Sequence, residues 1–245
     1  NHLMHSIEVF DLTNRRSVQS YELEPEGPNA VLKNQISDFV VNDSLFVFRG
    51  YRNDVKVLSR KDGTLLKTIV TFSPEDNYKL NYRGARDGSY RGLEMRWDEG
   101  KIVTPLFTKQ TQTMADKLAL SVDLTTEKAE ILSLSYPEEM KEDLGCYGSL
   151  TFPNFNTSED RWVYNFANSS RVYIYEKETG KVQVLDMKSN ATPNKAFPVD
   201  SNLKERNLRK SAEYESTTLR VRIVHYDEIT DVYVRMHYDG KEKIF

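Results

Sequence analysis

The amino-acid sequence predicts an all-β fold, a β-propeller of four-stranded antiparallel blades, and three observations carry that prediction. Alternating β-branched and aromatic runs recur from end to end, with 14 Tyr and 11 Phe among 245 residues, as pleated, half-buried strands require. Turn-forming groups such as Asn42-Asp43, Lys61-Asp62-Gly63 and Asp98-Glu99-Gly100 separate the runs, where a hairpin needs residues that tolerate a tight reversal. The runs also group in fours, at a repeat of roughly 40–55 residues. One such sheet cannot bury both faces alone, so the units must stack.

Residues 7–12 and 18–23 read as two strands joined by the polar turn at 13–16. Strands at 36–41, 44–49, 54–58 and 65–72 form the first full quartet. A second occupies 92–97, 101–107, 118–124 and 129–135. The third occupies 147–152, 161–166, 171–176 and 182–187, with Glu178-Thr179-Gly180 turning its last hairpin. Residues 219–226 and 232–238 close the chain as one long hairpin. One theme marks the third strand of each unit: Ile7-Glu8-Val9-Phe10-Asp11-Leu12, Val55-Lys56-Val57-Leu58, Leu120-Ser121-Val122-Asp123-Leu124 and Val172-Tyr173-Ile174-Tyr175. About four blades' worth of strands are therefore visible in a single domain, 1–245. The terminal pairs either combine into one blade of a small ring or are the cut edges of a larger propeller. The bare start at Asn1 and the stop beyond a hairpin favour the second.

Three stretches interrupt the strands. Residues 137–145 suit a helical turn or two, with Met140 and Leu144 on one side. The charged stretch 200–215 is a short helix opened by Ser201 or Asn202, or a loop. The polar connection 73–91 has no periodicity, and loops that long are often functional.

Charge excludes several classes. Lys and Arg number 34 against 37 Asp and Glu, a net −3, which argues against a nucleic-acid or anionic-membrane protein. The single cysteine, Cys146, excludes an intramolecular disulfide and a cysteine-based zinc site; it reads as a half-buried structural thiol. No apolar run approaches the ~20 residues of a membrane span, and no signal peptide is visible.

Several segments together resemble a known family. They are Glu26-Gly27-Pro28-Asn29, Ile36-Ser37-Asp38-Phe39, Asn42-Asp43-Ser44-Leu45-Phe46-Val47, Tyr136-Pro137, Trp162-Val163-Tyr164-Asn165-Phe166 and Arg171-Val172-Tyr173-Ile174-Tyr175. Lys188-Ser189, His225-Tyr226-Asp227 and Val232-Tyr233-Val234-Arg235 extend the likeness over nearly the whole chain. The chain is similar to the uncharacterised six-bladed β-propeller lipoproteins of Bacteroides and related gut bacteria. That resemblance implies six blades and a place in the cell envelope, periplasmic or on the outer-membrane surface. It also implies a lipid anchor on a cysteine that these residues do not include. No defined activity comes with it.

Each candidate site also has a plainer structural role. Glu26-Gly27-Pro28-Asn29 is first a turn, since Pro fixes φ while Gly and Asn tolerate left-handed backbone; functionally, Asn29 and Glu26 would stand at the propeller mouth. Tyr78, Tyr82, Arg83, Arg86, Tyr90 and Arg91, continued by Arg96 and Trp97, are the best binding surface. Tyr, Trp and Arg bury large area with few torsions and keep polar tips, suiting a sugar ring, a peptide or a protein; the plainer role is to cover the adjacent blade. His225 near Asp227 resembles a general base, and with Tyr233 and Arg235 it forms the enzymatic alternative, a glycan-active hydrolase or lyase at the propeller axis. A strand-end histidine is the plainer reading, and no Gly-x-Ser-x-Gly elbow accompanies it. Adjacent acids such as Asp98-Glu99, Glu138-Glu139, Glu142-Asp143 and Asp227-Glu228 read as solvated turn surface. Neither the four histidines nor any Asp-x-Asp-x-Asp-Gly loop suggests a metal, and no cofactor motif is present. Asn-x-Ser/Thr triplets and Asp43-Ser44-Leu45 arise too readily by chance to mean anything. The expectation is a non-enzymatic envelope module binding an outer-membrane protein, glycan or peptide.

Overall fold

The computed structural model describes residues 5–27, 29–31, 39–49, 53–73, 76, 78–80, 95–108, 114–138, 153–190, 194, 220–221, 224–227 and 229–238. Strands β1 (Ser6–Asp11) and β2 (Arg16–Glu22) form an antiparallel hairpin. Strands β3 (Phe39–Val41), β4 (Leu45–Arg49), β5 (Asp54–Ser59) and β6 (Leu65–Val70) make a four-stranded antiparallel sheet in sequential order. The next sheet holds β7 (Tyr78–Lys79), β8 (Arg96–Asp98), β9 (Lys101–Thr108), β10 (Met114–Asp123) and β11 (Ala129–Ile131). There β7 and β8 pair with successive stretches of the same edge of β9. Strands β12 (Pro153–Thr157), β13 (Arg161–Phe166), β14 (Arg171–Glu176) and β15 (Val182–Asp186) form the last four-stranded sheet. Beyond it lie β16 (Arg220–Val221), β17 (His225–Asp227), β18 (Val232–Val234) and β19 (His237–Tyr238), with β17 paired to β18 and β16 to β19.

Short polar side chains set the turns. Asp11 Oδ1 accepts from the backbone N–H of Thr13 and Asn14 at 2.9 and 3.1 Å. Asp123 does the same for Thr125 and Thr126 at 2.8 and 2.9 Å, and Asn42 for Ser44 and Leu45. These Asx turns satisfy donors that the reversing chain would otherwise leave unpaired. Gly180 turns the β14–β15 hairpin at φ +68°, a conformation that strains any residue with a Cβ.

The sheets pack face to face in chain order. Ile7, Tyr21 and Leu23 of the first hairpin lie on Phe46, Phe48 and Leu58. The opposite face of that sheet, through Val47, Val55, Val57 and Ile69, packs on Ile102, Leu106, Leu120 and Val122. Val103, Leu118 and Ala119 then meet Phe155, Trp162, Tyr164 and Phe166, and Val163 and Val172 meet Val224, Tyr226 and Tyr233. Neighbouring residues of β4 thus feed two different cores, which is why Leu45-Phe46-Val47-Phe48 is apolar without interruption. The first strands also draw together: β8 lies against both β3 and β12.

The structure corrects three expectations and keeps a fourth with a change of register. The third quartet opens at Pro153–Thr157, whereas the expected 147–152 strand lies outside the described residues; proline is tolerated at the first position of an edge strand, where its missing N–H costs no ladder bond. The 73–91 connection is not wholly structureless: Tyr78–Lys79 adds to the sheet edge and Leu80 is fully buried. The final hairpin keeps the expected partners, 220–221 against 237–238 and 225–227 against 232–234, with the register one residue out of step between the two stretches. The 129–135 strand breaks after Ile131, yet backbone bonds from Leu132 to Ala119 and from Leu118 to Leu134 keep the segment alongside β10. Residues 139–145 and 200–215 lie outside the described residues.

Candidate functional site

Tyr82, Arg83, Arg86, Tyr90 and Arg91 lie outside the described residues. Tyr78 is half-buried, its ring 5.7 Å from that of Phe72 in the core between the second and third sheets. Trp97 packs into the same core, and Arg96 Nε donates to the Phe155 carbonyl at 3.3 Å. Asn29 is exposed on a turn in which Gly27 takes φ +96° and Ala30 N–H bonds the Gly27 carbonyl at 3.2 Å. The next two carbonyls are held from outside the turn, Ala30 by Lys56 Nζ and Val31 by a His5 Nε2 contact at 2.6 Å. This motif is a brace between the first hairpin and the second sheet, leaving Glu26 and Asn29 facing solvent.

The residues of the enzymatic alternative serve to dock the last hairpin. His225 pairs through its backbone with Val234, and Tyr233 sits across from Tyr226, their rings stacked at 4.7 Å. Arg161 lies over Tyr226, 5.2 Å from the ring centroid, and its Nη1 is 3.4 Å from the Tyr233 hydroxyl. Arg235 donates to the Ser170 carbonyl, and burial lowers its pKa from the ordinary arginine value. The Asp227 carboxylate accepts from Ile229 N–H and Thr230 Oγ1 in its own turn, which lowers its pKa.

Arg161 is held flat by Asp160, whose two oxygens accept from its Nε and Nη2 in three contacts at 2.6–3.1 Å. That fork holds the Asp160 carboxyl at about 2, against the usual 3.8. A depressed folded-state pKa stabilises the protein above the unfolded value and loses that contribution as pH falls through about 2. An NMR titration should place the Asp160 carboxyl midpoint near 2, and Asp160→Asn should remove it. Because the carboxylate is largely exposed, the stability change at neutral pH should stay below about 1 kcal/mol.

One pair of neighbouring acids departs from the expected solvated surface. Asp98 accepts from Trp162 Nε1 at 2.9 Å, from Thr157 Oγ1 at 3.1 Å and from Lys177 Nζ. Its side chain is only 12% exposed and that of Lys177 20%. Lys177 also donates to the carbonyls of Ser158 and Glu159 at 2.6 and 3.1 Å. Asp98 therefore latches the β8–β9 turn to the β12–β15 sheet.

The concave feature that sequence reasoning missed is an open groove of about 610 Å³ between the segment after β11 and the outer strands of the last sheet. Its floor is Tyr164 and Tyr173, stacked at 5.1 Å. Burial pushes the Tyr164 hydroxyl well above its ordinary pKa. Val182 and Val184 form one wall, each about half exposed, and Ser133 and Ser135 the other. Arg171 and Asp186, directly opposite each other in the β14–β15 ladder, stand at one end. The volume is ordinary for a ligand site. A signal was present: Val182 and Val184 alternate with polar residues on a last strand, so an apolar face had to point somewhere. Among the described residues no cluster of His, Cys, Asp and Glu has metal-binding geometry, and no helix is long and apolar enough to cross a membrane.

Comparison with known proteins places these features in context. The family model described as domain of unknown function (DUF4221) matches residues 1–244. No curated protein matches the chain. The crystal structure of a member of the same family from Bacteroides vulgatus is similar at a TM-score of 0.71 and 16% identity, over 97% of this chain. The match spans 66% of that structure's length, just under two thirds; at such low identity the likeness concerns the fold alone. A computationally designed protein, Ika8, gives a TM-score of 0.41 at 9% identity, over 89% of this chain and 49% of its own, too low to bear on the fold.

Proposed function

This chain belongs to the family of domains of unknown function DUF4221, and on that premise we propose that it is a β-propeller serving as a non-enzymatic binding or scaffold module of the cell envelope. The packing of successive antiparallel sheets in chain order, with their first strands drawn together, supports the propeller reading. In such a fold the loops of successive blades gather at one mouth, and each pair of neighbouring blades leaves a groove at its outer rim. Six blades, a lipid anchor and an outer-membrane or periplasmic location in a Bacteroides-like bacterium belong to the same proposal.

The observation that carries the binding reading is the open groove, with an aromatic floor, half-exposed valines and a charged pair at one end. Such surfaces bind through buried area and a few placed polar groups. The Tyr/Arg-rich stretch containing Tyr82, Arg83, Arg86, Tyr90 and Arg91 is the proposed mouth contact for a glycan, peptide or protein. Asp227, the carboxylate an enzymatic His225 would need, is engaged in its own turn, which gives the hydrolase alternative no support.

The test is recovery of the full-length, lipid-anchored protein from native outer membranes, with bound partners identified by mass spectrometry. A stoichiometric partner is expected, and replacing Tyr82, Arg83 and Arg91 with alanine should weaken its binding at least about tenfold, as loss of a hot-spot cluster does. Undiminished binding by that variant would sink the mouth assignment.

A further inference from the structure

We propose that Asn53 is a positioning residue of the proposed mouth contact: its side chain clamps the foot from which the Tyr/Arg-rich stretch sets out. This rests on the binding-module reading and adds to it the residue through which that stretch is held. The path of the connection after β6 carries the inference. Tyr78–Lys79 pairs with Phe107 and Thr108, and Arg96–Asp98 with Lys101–Val103, on the same edge of β9. Residues 81–94 lie outside the described residues and carry Tyr82, Arg83, Arg86, Tyr90 and Arg91. They therefore start and finish on one strand edge. The paired positions nearest the gap, Phe107 and Val103, are four residues apart, about 13 Å at ~3.3 Å per residue. That edge is the inner one, since β8 lies on it against β3 and β12, the first strands of both neighbouring sheets.

Both feet are sunk in the core, Leu80 at 0% and Met95 at 1% exposure. The Met95 foot runs on into β8, where Arg96 Nε also bonds the Phe155 carbonyl. The Leu80 foot has only the two residues of β7, and Asn53 supplies a further hold. Its Oδ1 accepts from the Leu80 N–H at 3.1 Å, and its Nδ2 donates to the Tyr78 carbonyl at 3.5 Å. A donor and an acceptor for groups two residues apart are what a neighbouring strand would offer that segment.

The Asn53 carbonyl accepts from the Thr71 N–H at 2.9 Å and from Thr71 Oγ1 at 2.6 Å. The same residue thus also holds the point where the connection leaves β6. To do so Asn53 takes φ +60°, a left-handed backbone that asparagine tolerates better than most residues with a Cβ. The turn residue before the third strand does comparable work in the last sheet, where Ser170 N–H bonds the Asn194 carbonyl at 2.8 Å. A connection held at its feet is partly ordered before a partner arrives, so less of the binding free energy is lost in ordering it.

The experiment compares Asn53→Gly and Asn53→Asp with the wild-type chain. Glycine adopts this backbone without strain and keeps the turn and its carbonyl, but removes both side-chain contacts. Aspartate keeps the acceptor for Leu80 and tolerates the same backbone. Native-state hydrogen exchange should show the Leu80 amide exchanging about five- to tenfold faster in Asn53→Gly, and near the wild-type rate in Asn53→Asp. The Val57 amide should be unchanged in both, and neither unfolding midpoint should move by more than about 4 °C. The binding probe is a detergent extract of native outer membranes passed over each immobilised chain. It is scored as the amount of the species that wild type captures stoichiometrically. Asn53→Gly should capture at least about fivefold less, and Asn53→Asp about as much as wild type. With Tyr82, Arg83 and Arg91 already replaced by alanine, Asn53→Gly should weaken capture no further, because it acts through that stretch. A Leu80 amide indifferent to glycine, capture unchanged by glycine, or a further loss in the alanine background would each overturn the proposal and leave the binding module standing. Capture of nothing by wild type would remove the binding module itself, and this inference with it.

Discussion

Asp98→Ala is expected to destabilise the protein by about 3 kcal/mol or more, lowering the thermal midpoint by roughly 6–12 °C. The carboxylate gathers donors from a lysine, a tryptophan and a threonine, all on the neighbouring sheet. Removing it leaves the Trp162 N–H without an acceptor and takes from the Lys177 ammonium, only 20% exposed, its nearer counter-charge, leaving Glu99 at 3.9 Å. Most of the loss is the cost of leaving these desolvated donors underpaired rather than the worth of the pair itself. Asp98→Leu combined with Lys177→Met should therefore recover much of the stability, because paired buried charges are often replaceable by apolar groups of similar size. Denaturant unfolding of the single and double variants measures both. Equal stability of Asp98→Ala and wild type would mean that the latch contributes nothing.

Phe166→Ala should be the most damaging core substitution on the same interface, at about 3–5 kcal/mol. Phe166 is fully buried, with ring contacts to Tyr136, Tyr164 and Tyr173 at 5.4, 6.1 and 5.7 Å. Three large rings cannot collapse into the space left by a fourth, so the cavity persists and its cost adds to the lost burial. Phe166→Leu, which keeps most of the volume, should cost only about 1–2 kcal/mol. Because Tyr164 and Tyr173 also floor the groove, Phe166→Ala should weaken groove ligands as well, while Phe166→Leu leaves them nearly unchanged. Denaturation curves and binding of a recovered partner report the two effects separately.

Much of the fold was legible because burying both faces of a sheet leaves a mark in the sequence. Strands 161–166 and 171–176 are legible to the residue, since each holds an unbroken apolar and aromatic run, Trp162–Tyr164 and Val172–Tyr175, bounded by polar turns. The start of the third quartet was misplaced: Pro153 argues against a strand, and only the edge position of β12 makes it acceptable. Tyr78–Lys79 is too short to show a period at all. Of the residues expected to bind ligand, Tyr78, Tyr233 and Arg235 make packing and docking contacts in the structure.

The sequence by itself determined an all-β chain, the grouping of most strands and the turns that reverse them, because periodicity and turn chemistry depend on a residue's own backbone and nearest neighbours. Tertiary structure decided that Asp98, an ordinary turn acid in sequence, lies beneath a tryptophan and a lysine 64 and 79 residues away. It also decided that 133–137 and 182–186 run side by side as two walls of one groove. Neither juxtaposition is encoded locally. Each follows from which sheet faces meet, and that is settled by how a set of two-sided apolar sheets can all be covered at once.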